Sequence, residues 1–367
     1  MKKNDVIERN KCTGCMACKN ICPKNAITIY EEQDGFRYPK INEEECIKCG
    51  LCKKVCPVIN KLRENQYKTR VYASINKEKE IRLKSSSGGI FTLIAKYIID
   101  NCGVVFGAKF NENLEVIHDH IEKEEDIKLF RRSKYVQSNI GDTYKKAKEI
   151  LDQKRKVLFT GTPCQIEGLL GYLGKDYENL YTQDIICHGV PSPKVWRKYI
   201  EYKKNEKGEY PLQINFRRKD ILGWTNFQVS YKYSKLEENF HHDEDIYMKL
   251  FLKNLDLRES CYNCHFKKKN RKSDITIADF WGINNVLPKL NDELGVSAII
   301  INTRKGEEIF EKIKKYMKYE KTDLKNVILS NSCMVESVKY NDRRKEFFEK
   351  LDKLDFIELI KEFKKYL

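Results

Sequence analysis

Eight of the fourteen cysteines fall into two runs of identical spacing. They are Cys12-x-x-Cys15-x-x-Cys18-x-x-x-Cys22-Pro23 and Cys46-x-x-Cys49-x-x-Cys52-x-x-x-Cys56-Pro57, offset by 34 residues. Such a repeat is one metal-binding unit used twice. Three thiolates from one short loop can cap three irons of a cube, and the fourth iron takes its ligand from elsewhere. In the bacterial-type 4Fe-4S run closed by proline, that ligand is the last cysteine of the other run. The spacing therefore assigns one cluster to Cys12, Cys15, Cys18 and Cys56, and a second to Cys46, Cys49, Cys52 and Cys22. The alternative is a pair of four-cysteine zinc sites, which ordinarily join two CxxC units across a longer gap. Cubes of this kind carry single electrons at low potential, so residues 1–62 read as a two-cluster ferredoxin domain.

Six cysteines remain: Cys102, Cys164, Cys187, Cys261, Cys264 and Cys333. Cys164 and Cys187 stand at the ends of predicted strands. Cys261 and Cys264 form a CxxC ahead of the basic run Lys267-Lys268-Lys269-Asn270-Arg271-Lys272. These four can enclose a third cluster beside a bound cofactor, or divide into a structural CxxC and two small buried core residues. Cys102 and Cys333 have no partner in the pattern and read as packing residues.

The elements that must position these groups follow from periodicity. Residues 60–70 are polar and aperiodic, as in a linker, and VYASI at 71–75 is strand-like. Ser85-Ser86-Ser87-Gly88-Gly89 precedes IFTLIAKYIIDN, a helical pattern expected to start at a serine cap, with open N–H groups for an anion. GVVFGAKF and LEVIHDH alternate as a hairpin, and EKEEDIKLF reads as a short helix. Arg131, Arg132 and Lys134, with Ser133, Gln137 and Ser138, offer pyrophosphate donors or form a plain surface turn. KVLFTGTPCQIEGLLGYLG passes from a buried strand into a helix, putting Thr160 to Gln165 at a strand's carboxyl end, where open α/β sheets bind ligands. LYTQDIIC ends at Cys187-His188-Gly189. Strands follow at 211–234, in DITIADFWG and in GVSAIIINT. The last thirty residues read as a helix or helical pair. The fold class is α+β: a ferredoxin domain at 1–62, a larger mixed α/β domain at 70–325, and a helical tail at 326–367.

Formal charge is +16, from 70 basic and 54 acidic side chains. Each oxidised four-thiolate cube carries about −2, which would lower the loaded protein to roughly +10. The balance favours acidic partners: redox proteins, anionic cofactors or nucleic acid. A nucleic-acid role would lean on the 267–272 run alone, with no accompanying motif. The start MKKNDVIERNKC has no apolar h-region, and the longest apolar run, IFTLIAKYII, is too short to span a bilayer and carries Lys96. The expectation is a cytoplasmic protein whose reduced thiols serve metal.

Five short motifs in order give a resemblance to the beta subunits of coenzyme F420 hydrogenases and dehydrogenases that carry an N-terminal ferredoxin domain. They are SSSGGIFT, SKYVQS at 133–138, GTPCQ at 161–165, CHGVPSP at 187–193, and CYNCHFK followed by SDITIADFWG. The resemblance spans about residues 8–310. It implies FAD and iron–sulfur centres exchanging electrons with an organic acceptor, F420 in archaeal members. It implies flavin contacts from Ser87, Gly88, Gly89, Lys134, Gln137, Thr160, Gly161 and Thr162, and a third cluster on Cys164, Cys187, Cys261 and Cys264. It reaches plant chlorophyll-modifying reductases as well, so fold alone does not fix the substrate. No GxGxxG fingerprint accompanies it, and no Rossmann NAD site is expected.

The function expected is an iron–sulfur flavoprotein oxidoreductase taking single electrons from a redox protein and exchanging hydride with an organic substrate. The alternative is an electron-transfer subunit without a substrate of its own. His188 is a candidate proton relay, Asp279 a substrate holder and Trp281 a stacking ring. For each of the three, ordinary packing or hydrogen bonding is the simpler role.

Overall fold

The computed structural model describes residues 5–62 and 64–367. Residues 1–4, where the expected ferredoxin domain and the basic start begin, and residue 63 of the linker lie outside the described residues. Near the amino terminus, β1 (Ile27–Glu31) and β2 (Arg37–Ile41) form an antiparallel ribbon beside the two cysteine runs. The larger body is an eight-stranded mixed sheet. It uses β3 (Arg70–Asn76), β4 (Val104–Phe110), β5 (Val116–Ile121), β6 (Val157–Gly161) and β7 (Leu180–Ile185). A separate antiparallel sheet is made of β8 (Gln213–Arg218), β9 (Gln228–Lys232) and β10 (Glu237–His241). The large sheet is completed by β11 (Ile275–Asp279), β12 (Ser297–Ile301) and β13 (Met317–Thr322), in the order β13-β3-β12-β11-β7-β6-β4-β5.

Strands β4, β6, β7 and β11 run parallel, so their carboxyl ends open on one edge of the sheet. Parallel strands buried on both faces need continuous apolar runs, and the sequence supplies them in Val104-Val105-Phe106 and Val157-Leu158-Phe159, all buried. One face packs against Ile90–Asp100 and Arg304–Ile313, the other against Thr143–Asp152 and Pro163–Leu173. Pro163–Leu173 starts sharply. Thr162 and Gln165 form a reciprocal capping box, and Pro163 occupies the first turn, where its missing N–H costs nothing.

The predicted strands and the β4–β5 hairpin are present. The helix after the serine run is present too, but not its cap. Gly89, at φ 80°, starts Ile90–Asp100 without any side-chain cap. A left-handed residue turns the chain there, which glycine adopts without steric cost. Ser87 Oγ instead donates to Val296 O at 2.8 Å. Cys102 is also not a packing residue: it is exposed, in a turn at φ 55°.

The carboxyl-terminal segment forms two helices, Arg344–Lys350 and Phe356–Phe363. Phe347, Phe348, Phe356, Leu359 and Phe363 of these helices, and Leu351 between them, are buried in one cluster with Trp196, Tyr199, Tyr247 and the ferredoxin residues Phe36 and Tyr38. The tail is thus part of the core that fastens the amino-terminal unit to the rest. Among the described residues no helix is long and apolar enough to cross a membrane.

Candidate metal centres and cofactor site

Cys12, Cys15, Cys18 and Cys56 line a single pocket with Val6, Met16 and Pro39. Three come from the first run and one from the second, as the crossed ligation requires. The other set is more open: Cys49 is exposed, Cys46, Cys22 and Cys52 are half-buried, and Cys22 and Cys52 pack against the same small cluster of Val6, Cys18 and Ile27. Burial pushes the Cys15 thiol up to about 12 and the Cys18 thiol well above its ordinary value, each neighbouring thiol adding to the effect. Several thiolates crowded in an apolar pocket ionise only with a cation to share, which is what a metal centre supplies.

The inner four cysteines also meet. Cys164 follows β6, Cys187 follows β7, and with Cys261 and Cys264 they line one pocket together with Thr13, Thr162, His188, Lys267 and Arg271. Burial pushes Cys187 up to about 12, Cys261 to about 11 and Cys164 well above its ordinary value. Cations stand around them. Lys267 donates to the Cys187 and His188 carbonyls, and Arg271, fully buried, faces Asp184 at 3.5 Å. The donor set suits a four-thiolate cube, and the cations suit its negative charge.

Three cations of the basic run 267–272, namely Lys267, Lys268 and Arg271, are committed to contacts within the protein, while Lys269 stays exposed. Lys268 pairs with buried Glu167, and Arg271 is sealed.

Thr13 lines both pockets. The first cysteine loop lies directly on the helix Pro163–Leu173. A Cβ on Gly168 would stand 2.9 Å from Cys15 Cβ and 3.0 Å from its Sγ, and one on Gly171 would stand 2.6 Å from Val55 O. The absence of side chains at these two positions, on one helix face, allows the approach.

The residues expected to contact flavin gather partly at the same sheet edge. Gly88 N donates to Ser297 Oγ at 2.9 Å, and its carbonyl accepts from Asn76 N. A side chain at position 88 would meet Ser74 O at 2.4 Å. Thr160 Oγ1 donates to Phe106 O at 2.9 Å, and its carbonyl meets His118 Nε2 at 3.0 Å. Gly161 and Thr162 continue into the capping box, with Thr162 Oγ1 3.1 Å from Cys164 Sγ. Lys134 spends its ammonium on the carbonyls of Leu129, Arg131 and Arg132, so it shapes that turn from within. Gln137 lies elsewhere: it donates to Thr13 O at 3.0 Å and accepts from Arg258 at 2.9 Å, at the seam with the ferredoxin unit.

Of the three candidate catalytic residues, His188 borders the inner cysteine pocket. Its Nε2 is 2.6 Å from Asn254 Oδ1 and its Nδ1 3.4 Å from Cys333 Sγ, so Cys333 has a polar partner that its sequence position did not suggest. Burial lowers the His188 pKa, the Asn254 contact opposing and Lys267 adding to it. Asp279 is paired with Arg217 at 3.0 Å and accepts from Trp224 Nε1 at 2.7 Å through the same oxygen. Trp281 stacks on Trp224 at 4.8 Å, with the Arg217 guanidinium 5.0 Å from its ring centre.

Sequence reading named Arg132 and Lys134 but passed over Arg217 and Lys219, which join them here. Lys219 donates to Ser87 O at 2.6 Å, and burial brings both Lys219 and Lys134 down to about 7. The Nε atoms of Arg132 and Arg217 are buried without a hydrogen-bond partner among the described residues. The signal was present in INFRRKD, where three successive cations, Arg217, Arg218 and Lys219, stand at the end of β8.

Residues 154–327 match the family described as the carboxyl terminus of the coenzyme F420 hydrogenase/dehydrogenase beta subunit. Residues 11–60 and 43–106 match 4Fe-4S dicluster domains. The chain is 29% identical over 324 residues to the coenzyme F420-dependent sulfite reductase of Methanocaldococcus jannaschii, covering 84% of this chain and 47% of that protein. It therefore spans about half the length of that relative. A chain of the F420-reducing NiFe hydrogenase complex from Methanosarcina barkeri shares the fold, with 18% identity and a TM-score of 0.50 over 80% of this chain and 94% of that one.

Proposed function

Because this chain joins a 4Fe-4S dicluster domain to the carboxyl-terminal region of the coenzyme F420 hydrogenase/dehydrogenase beta-subunit family, we propose that it is an iron–sulfur flavoprotein oxidoreductase. Single electrons are exchanged with a low-potential redox protein at the open Cys46–Cys52 loop. Two electrons, as hydride, are exchanged with an organic substrate such as coenzyme F420 at the other end. The observation that carries this reading is contiguity: Thr13 borders both the first ferredoxin pocket and the inner four-cysteine pocket.

FAD would supply the change from one-electron to two-electron chemistry. The residues that would hold it are Ser87, Gly88, Gly89, Thr160, Gly161 and Thr162, with Lys134 and Lys219 setting the charge of the site. Arg217 already has Asp279 as its counter-charge, but Arg132 has none among the described ion pairs, and its buried Nε without a hydrogen-bond partner supports an anionic occupant. In this reading Asp279 holds Arg217 in place and Trp281 extends a flat apolar wall, while His188 keeps the rim of the inner pocket ordered through Asn254. Twelve cysteines committed to metal suit a reducing, cytoplasmic setting.

A second reading, an electron-transfer subunit with no substrate of its own, is favoured by the chain's matching under half of the sulfite reductase's length. One experiment separates the two. The anaerobically prepared, flavin-reconstituted chain is reduced through a ferredoxin and offered F420 and other organic acceptors while flavin and acceptor absorbance are followed. Turnover of an acceptor by the isolated chain supports the enzyme. Flavin reduction with every acceptor left unchanged supports the subunit, and a chain that retains no flavin ends both.

A further inference from the structure

The seam between the two cysteine pockets is held by one side chain. Arg258 is 1% exposed. Its Nε donates to Cys12 O at 2.7 Å, and its two terminal nitrogens donate to Gln137 Oε1 at 2.9 Å and Arg37 O at 3.1 Å. Gln137 passes the contact on to Thr13 O, and the Arg258 carbonyl accepts from Cys261 N at 2.9 Å. One residue thus grips the Cys12 loop with its side chain and the Cys261 turn with its backbone. Tyr38 and Phe36 cover the guanidinium, with ring centres at 4.3 and 5.3 Å.

Among the described residues, every hydrogen-bond acceptor of Arg258 is neutral. Asp34, the carboxylate within electrostatic range, is bonded to Arg344 at 3.3 Å, so those two charges offset each other. The other groups facing Arg258 are Tyr38 and the thiols of Cys12 and Cys261. A sealed guanidinium with no carboxylate of its own is costly. What it can compensate on this seam is the negative charge of metal-bound thiolates on either side.

We propose that Arg258 is a positioning residue that sets the potentials of the two adjoining centres, the Cys12–Cys15–Cys18–Cys56 set and the Cys164–Cys187–Cys261–Cys264 set. The proposal rests on reading those cysteines as 4Fe-4S ligands. A fixed positive charge stabilises the form carrying the extra electron, so both centres are easier to reduce than they would be beside a neutral residue. The effect fades with distance, which leaves the more exposed Cys46–Cys49–Cys52–Cys22 set as an internal reference.

The test compares Arg258→Gln and Arg258→Lys with the parent as the anaerobically reconstituted full chain. Iron and sulfide are counted first, and each cluster is then titrated by electron paramagnetic resonance. In Arg258→Gln the reduced-to-oxidised ratio of the two adjoining clusters, poised at the parent's midpoint, falls about tenfold, or about 59 mV for one electron. The reference cluster does not move, and Arg258→Lys stays within about threefold of the parent. Full loading with parental potentials in Arg258→Gln overturns the proposal, as does an equal shift in Gln and Lys, which would mark a purely structural clamp.

If Arg258→Gln fails to load, Gln137→Glu decides. It places a carboxylate against the guanidinium in its native seat, and Gln137→Leu controls for the lost Thr13 bond. Lower potentials in Glu than in Leu sustain the proposal, and equal potentials reject it. A parent chain without iron would instead defeat the cluster reading itself.

Discussion

Replacing Gly168 by alanine should detach the first ferredoxin cluster while leaving the protein folded. Gly168 is buried on the helix Pro163–Leu173, and an added Cβ would stand 2.9 Å from Cys15 Cβ, 3.0 Å from Cys15 Sγ and 3.0 Å from Tyr144 Oη. Carbon atoms at rest sit about 3.5–4.0 Å apart, so the methyl intrudes by more than half an ångström on a ligand cysteine. Alanine gains about 1 kcal/mol of helix propensity over glycine, and overpacking a tight site costs about 1–3 kcal/mol. Tyr144 cannot easily move away, because its hydroxyl donates to Gln165 O at 2.7 Å. The strain therefore falls on the Cys15 loop, whose thiol must keep its place to bind iron. Anaerobic iron counting with spectroscopy should find Gly168→Ala short of about one cluster, about four iron atoms. Gly171→Ala, pressing on Val55 next to Cys56, should lose the same one. A Gly168→Ala chain with its full iron and an unchanged or raised melting temperature would refute the close seam.

Asp279→Asn leaves Arg217, whose side chain is 4% exposed, without its counter-charge, and should cost about 3 kcal/mol in denaturant unfolding. An unchanged stability would instead return Asp279 to substrate binding alone. Truncation before Arg344 strips six buried apolar side chains, a loss on the order of 10 kcal/mol and comparable with a whole domain's stability. The truncated chain should be insoluble or protease-sensitive, and a stable product would show the tail to be dispensable. Lys134 and Lys219 are held near 7 by burial, against an ordinary 10.5. Between these values the unfolded chain binds protons that the folded chain does not, so stability contributed by these lysines rises as pH increases from about 7 to 8.5. Melting curves of the apoprotein should show that rise, flattened in the Lys134→Met, Lys219→Met double variant. Equal slopes would contradict it.

The repeat of cysteines was legible because metal ligation demands fixed spacing within one loop, and spacing survives in a linear reading. The crossing of Cys22 and Cys56 between sets followed from the same geometry. Strands β4 and β6 were legible because each opens on a buried apolar run, Val104-Val105-Phe106 and Val157-Leu158-Phe159. What the linear reading lost were contacts made between distant segments. Gln137 stands among hydroxyl and cationic neighbours that suggest a phosphate site, yet its side chain turns to Thr13, 124 residues away. Arg258 carries no local signal at all, since its role arises only when the Cys12 loop docks on it. Cys333 reads as a lone thiol until the fold brings His188 to it. The helix start at Gly89 was misassigned because serines are good caps locally, while the packing of Gly88 against β3 and β12 needs residues that can turn left-handed and approach backbone closely.

The most direct measurement is the count of iron, acid-labile sulfide and flavin in the anaerobically purified chain, repeated for Cys164→Ala. Three four-cysteine sets predict about twelve iron atoms and as many sulfides per chain with one FAD, falling to about eight iron atoms in the variant. Zinc in place of iron, or an iron count that Cys164→Ala leaves unaltered, would contradict the account.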